Sequence, residues 1–134
     1  MAISRIRILG LVIVLIFAGC TLFKPQLADS NKGKLLLTVG IKSYEDGDLK
    51  NAEIYIKDAL AAGLDEKADK IKAHKYLAFI YCISSRTGLG GEEFKKAFEL
   101  DPEFELDKAE AGHPIWGPIY RSIKAKLAIK KKSP

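Results

Sequence analysis

From Lys34 almost to the C-terminus, apolar residues recur three and four apart, and no stretch alternates apolar with polar as a strand would. That period commits the chain to helices packed through one face. Small residues fall at regular places within it: Gly40, Ala52, Ala59, Ala78 and Ala97. Small side chains let two helix backbones cross closely, so these positions predict helix crossings. Turn chemistry at Gly47-Asp48 and a helix stop at Asp101-Pro102 divide the periodic stretch into separate helices. The expected fold class is all-α.

The pattern occurs twice. One unit reads Leu36-x2-Val39-Gly40-x2-Ser43-Tyr44, then Gly47-Asp48-Leu49, then Ala52-x3-Ile56-x2-Ala59-Leu60. The next reads His74-x2-Leu77-Ala78-x2-Tyr81, then Phe94-x2-Ala97-Phe98, then Leu100-Asp101-Pro102. Both resemble the tetratricopeptide repeat (TPR), which implies two helical hairpins over residues 33–104. The second unit departs further from the pattern. His74 stands where the repeat has tryptophan (Leu36 in the first unit), Gly90 replaces an alanine, and Ser85-Arg86-Thr87-Gly88 replaces the Gly-Asp turn.

Two units fall short of the roughly three that usually bury a continuous core. Residues 105–134 are therefore expected to cap the open end. Phe104 and Leu106 lead into a turn through Gly112, His113 and Pro114, followed by an amphipathic helix from about Ile115 to Ile129. Its buried stripe would be Ile119, Ile123 and Leu127, with Tyr120 beside them. Pro114 and Pro118 fit near a helix start, where a missing N–H does little harm.

The N-terminus has a different character. Arg5 and Arg7 precede an apolar run from Ile8 to Phe17, and Ala18-Gly19 stand directly before Cys20. This resembles a bacterial lipoprotein signal, in which the cysteine is lipidated and becomes the new N-terminus. The run closes at Lys24, short of the roughly 20 residues a membrane-spanning helix needs. Residues 1–19 would then be signal and 20–32 the lipidated cysteine with a flexible tether. Removing Arg5 and Arg7 lowers the formal charge from +5 to about +3. With Cys20 acylated, Cys82 is alone and no internal disulfide can form. Thr21 rather than Asp after the cysteine favours the outer membrane, with the chain facing the periplasm.

Residues with chemical potential do not assemble into a reaction centre in the sequence. His74 and Cys82 share one helix face but lie about 12 Å apart at ~1.5 Å rise per residue, too far for a nucleophile and its base. His74 reads as a core histidine and Cys82 as a small buried hydrophobe. Glu92, Glu93, Glu99, Glu103 and Glu105 read as a solvated face. The chain is expected not to be an enzyme, and to carry no metal and no cofactor beyond the lipid on Cys20.

Binding is the alternative to chemistry. The first helices of TPR units line a concave wall, here Leu37, Ile41, Tyr44 and Glu45, then Lys72, Lys75, Phe79, Cys82 and Ile83. Lys72 and Lys75 beside Tyr44 and Phe79 would suit an acidic or C-terminal carboxylate partner. The competing reading fills this groove with the C-terminal helix. Trp116, framed by Gly117 and Pro118, is either a rigid corner packed on the second unit or, with His113, an exposed docking surface. The basic tail of Lys124, Lys126 and Lys130 to Lys132 is offered to solvent, to anionic head groups or to an acidic partner.

A narrower resemblance rests on Ala73-His-Lys-Tyr-Leu-Ala-Phe-Ile-Tyr-Cys82, Phe94-Lys-Lys-Ala97, Asp101-Pro-Glu-Phe104 and Ala109-Glu-Ala-Gly-His-Pro-Ile-Trp-Gly-Pro118. Together these look like the short TPR lipoproteins associated with bacterial type VI secretion clusters. The resemblance implies a lipid-anchored adaptor that meets a membrane-complex component, with no role for nucleic acid. Two other readings remain open. One is an envelope-structural lipoprotein contacting peptidoglycan or lipopolysaccharide through its basic tail. The other is self-association of two chains to complete the short stack.

Overall fold

The helical period becomes six helices in the structure, a computed structural model that describes residues 30–132. They are α1 (Ser30–Glu45), α2 (Leu49–Ala62), α3 (Lys67–Ile83), α4 (Thr87–Leu100), α5 (Lys108–Ala111) and α6 (Gly117–Lys132). The described residues are all-α, as expected. Cys20, the signal segment and most of the tether lie outside them. Among the described residues no helix is long and apolar enough to cross a membrane.

Local chemistry sets the helix boundaries. Gly47, at φ +82°, turns the chain out of α1. Asp48 then caps α2 by accepting from the Asn51 amide at 3.1 Å. Gly63, at φ +99°, follows the last turn of α2. Asp101 is extended at φ −145°, as the residue before a proline should be, and α4 ends with Leu100. Between α3 and α4 no glycine is available, and Ser85 takes the left-handed conformation at φ +60°.

α1 pairs with α2 and α3 with α4, and α3 packs back on the first pair. The crossings depend on absent side chains. A Cβ on Gly40 would lie 2.6 Å from Ile56 Cγ1 and 3.1 Å from the Ile56 amide. Gly33, at the edge of the tether, is a second crossing, because a Cβ there would overlap the Gly63 carbonyl oxygen. Gly90 is a third close approach: Cys82 Sγ occupies the space its Cβ would need.

α3 lies between two cores, and its C-terminal half is apolar on nearly every side, with Leu77 to Cys82 all buried. One core gathers Leu37, Ala52, Ile56, Ala59, Leu77 and Ile80. The other gathers Phe79, Phe94, Phe98, Phe104, Trp116 and Tyr120. α6 runs over α4 and closes the second core. It begins at Gly117, two residues later than the sequence predicts, because Trp116 is drawn inward ahead of it. Tyr120 is only 2 % exposed, while Ile119, Ile123 and Leu127 are half-buried.

Arg86 ties the α3–α4 turn to the first hairpin. Its guanidinium donates to both carboxylate oxygens of Glu53, at 2.6 and 3.3 Å, and lies 4.5 Å from the Tyr81 ring centroid.

Two substitutions test these constraints through thermal and urea unfolding. Gly40→Leu should destabilise by about 1–3 kcal/mol or more, because Ile56 is fully buried and has nowhere to move. Ser85→Gly should stabilise by roughly 0.5–1 kcal/mol, the left-handed strain relieved less the entropy glycine adds to the unfolded chain. Unchanged stability in the first, or a loss in the second, would contradict the turn and crossing assignments.

Candidate functional site

The inner surface of the hairpins is divided between the protein's own C-terminal segment and solvent. Residues 101–116 leave α4, pass through the short α5 and bring Trp116 onto α3. Trp116 stacks on Phe79 with ring centroids 4.3 Å apart and planes at 22°. The indole Nε1 donates to the Glu110 carbonyl at 2.9 Å, closing the segment on itself. Asp107 and Glu110 form a capping box that shapes α5. Arg121, in the second turn of α6, donates to the Ala111 carbonyl at 2.7 Å.

This corrects the expectation of an accessible patch at Phe79 and Trp116. Phe79 is 2 % exposed and Trp116 6 %, each covering the other. The segment after Pro102 fills the second unit's half of the groove, because that half would otherwise leave Phe79, Phe94 and Phe98 in water. Tyr120 seals the other side. Its ring packs on Phe94, Phe98 and Phe104, and its hydroxyl donates to the Phe104 carbonyl at 3.3 Å. Glu105, also within reach of that hydroxyl, pairs with Lys124, and the two hold its carboxyl below the usual carboxylate range.

The remaining candidates other than Lys72 lie along one aromatic row. His113 stacks flat on Trp116 with centroids 3.3 Å apart. Phe79 meets Tyr76, and Tyr76 meets Tyr44 edge-on at 5.2 Å. Lys75 reaches across the row: its ammonium lies 5.1 Å from the Tyr76 centroid and donates to Glu110 at 2.5 Å. Lys75 therefore holds the C-terminal segment rather than a free carboxylate ligand. Lys72 stands apart and exposed, with Asp69 at 3.9 Å. Tyr44 and Tyr76 remain half-buried, and burial pushes both phenols up. Tyr44 of α1 and Tyr76 of α3 line the part of the groove left for a partner, with Lys72 one turn before Tyr76 on α3.

Tyr76 and Glu110 were not picked out as site residues. Glu110 could have been found from the Asp107-x-x-Glu110 spacing of a capping box. Tyr76 has no comparable signal, since its role depends on the segment that folds over its neighbour.

A second feature lies between α2, α3 and α4: a hollow of about 590 Å³ lined by Leu60, Leu64, Lys70, His74, Lys96 and Glu99. Beside it, Glu93 is a correction to the solvated-face reading, being 7 % exposed. His74 Nδ1 lies 2.6 Å from Glu93 Oε2, and Lys96 donates to Oε1 at 2.6 Å. Burial raises the Glu93 pKa, but these hydrogen bonds outweigh it and hold the carboxyl below its ordinary 4.5. The dyad has no thiol to activate. Cys82 faces Gly90, and burial pushes its thiol up to about 11. Among the described residues no three His, Cys, Asp or Glu side chains gather to hold a metal ion.

Compared with family models, with curated proteins and with solved structures, the chain finds no match.

The Glu93 contacts predict a pH-dependent stability. A folded-state pKa below the ordinary value means that ionisation favours folding. The contribution is present above the carboxylate range and is lost as pH falls through the lowered value. Glu93→Gln should cost about 1–3 kcal/mol in urea unfolding at neutral pH, and the gap from the unmodified protein should close in acid. A gap independent of pH would leave packing, not charge, as the role of Glu93.

Proposed function

We propose that this chain is a lipid-anchored TPR adaptor facing the periplasm, which binds a protein partner rather than catalysing a reaction. The observation that carries the reading is the half-filled groove. The protein supplies its own occupant, residues 101–116, for one half, and leaves an aromatic and lysine-bearing half beside it. A helical hairpin pair with this division has a surface prepared for one further segment of chain. The small-residue crossings at Gly40, Gly90, Ala52, Ala59 and Ala97 support the TPR assignment, since each lies where that repeat needs a close approach.

The partner reading follows from the sequence resemblance. The partner is a component of a type VI secretion membrane complex, met at the cell envelope where acylated Cys20 holds the adaptor in the outer membrane. Tyr44 and Tyr76 give the open half flat apolar area with polar edges, a combination suited to a further segment of protein chain.

Photo-crosslinking in cells tests this reading, with the reactive side chain placed at Tyr44, at Lys72 and at Lys126. Adducts from Tyr44 or Lys72 to a secretion membrane-complex protein are expected. Adducts from those positions to a different envelope protein would keep the adaptor and remove the secretion assignment. Adducts from Lys126 alone, to peptidoglycan or lipopolysaccharide, would replace the adaptor with an envelope-structural role for α6.

A further inference from the structure

The hollow between α2, α3 and α4 has no part in the adaptor reading, and none of its lining residues belongs to the groove. Leu60, Leu64 and Asp65 give it one wall, Lys70 and His74 of α3 a second, and Glu99 and Leu100 of α4 a third. Its volume of about 590 Å³ falls within the range of small-ligand sites, about 300–1,000 Å³.

Two lysines are half-buried among the described residues, Lys70 and Lys75. Lys75 has Glu110 at 2.5 Å. Lys70 has no carboxylate within ion-pairing distance, although Asp65 lines the same hollow, and Asp65 has no cation. Neighbouring charges are engaged: Lys67 with Asp101 at 3.7 Å, Lys96 with Glu93 at 2.6 Å and Glu99 with Lys95 at 4.0 Å. The hollow therefore holds two opposite charges on different walls that do not meet each other.

His74 adds a third polar group. Its Nδ1 lies against Glu93, and ionised Glu93 accepts the proton there, so Nε2 of the neutral ring is an acceptor. Nε2 has no partner in the protein, and no side-chain nitrogen or oxygen among the described residues is buried without one. Solvent thus reaches Nε2, on the side of the ring that faces the hollow. Lys70 and His74 stand one turn apart on the same face of α3. Beneath these groups the surface is hydrocarbon, with Leu64 only 4 % exposed and Leu60 and Leu100 half-buried.

A simple anion entering here would gain Lys70 and be repelled by Asp65 and Glu99. A simple cation would meet the reverse. A molecule that carries both charges and an apolar group satisfies every wall. We propose that this hollow is a binding site for an apolar amino acid or short peptide with both its terminal charges free. The carboxylate meets Lys70, the ammonium donates to Asp65 and to His74 Nε2, and the side chain rests on the leucines. The proposal is independent of the groove and of acylation at Cys20.

NMR of the full, isotope-labelled chain in detergent micelles tests it, with leucine, leucyl-leucine, N-acetyl-leucine and leucinamide each added at millimolar concentration. The chain has two histidines, so the His74 ring reports the site and His113 serves as the internal control. Leucine or leucyl-leucine should shift the His74 ring nitrogens and the Gly63 amide and leave His113 unmoved. Whichever binds more tightly identifies the ligand as a free amino acid or a peptide. N-acetyl-leucine, which lacks the ammonium, and leucinamide, which lacks the carboxylate, should each bind about tenfold or more weakly. Lys70→Gln and Asp65→Asn should weaken leucine binding to a similar degree without lowering the unfolding temperature. No shift at His74 with either zwitterion overturns the proposal. Equal binding of all four compounds also overturns it, since the hollow would then read hydrocarbon alone. Unchanged affinity in both folded variants would do the same, by placing the ligand elsewhere.

Discussion

The stack of Trp116 on Phe79 is the contact through which the rest of the protein becomes a closed body. Two helical hairpins in sequence leave the inner side of the second open, and here that side carries Phe79, Phe94 and Phe98. Exposed together, three phenylalanines would favour aggregation over folding. The chain solves this by returning on itself after Pro102. An aromatic pair of this kind contributes about 0.5–1.5 kcal/mol beyond the area it buries. Its larger consequence is positional: with Trp116 seated, Glu110 meets Lys75, Arg121 meets the Ala111 carbonyl, and Tyr120 packs against both Phe98 and Phe104.

The helices themselves were legible because their signals are local. Gly47-Asp48 makes its turn from two residues, and Asp101-Pro102 stops α4 through the geometry of one peptide unit. Gly40 was readable as a crossing because a helical period runs on both sides of it. What escaped the sequence was set by distant neighbours. Glu93 reads as one carboxylate among several until His74, nineteen positions earlier, is placed against it. Ser85 gives no sign of a left-handed backbone, because its conformation is imposed by the helices it joins. Tyr120 looked secondary to Ile119 and Ile123, since the residues it packs on, Phe98 and Phe104, come from a helix end and a loop.

The groove shows the same limit more clearly. Of the expected wall residues, Tyr44, Lys75 and Phe79 lie on the groove, while Leu37 sits in the first core and Cys82 against Gly90; the C-terminal segment was one of two named occupants. Sequence spacing could not choose between them. The choice depends on how far residues 103–116 reach once α4 has ended, and on whether Trp116 arrives at Phe79 or points outward. Lys75 is the instructive case. As a lysine beside aromatics it reads as a grip for a ligand's carboxylate, and in the fold that carboxylate belongs to Glu110. A self-supplied ligand and a foreign one call for the same wall chemistry.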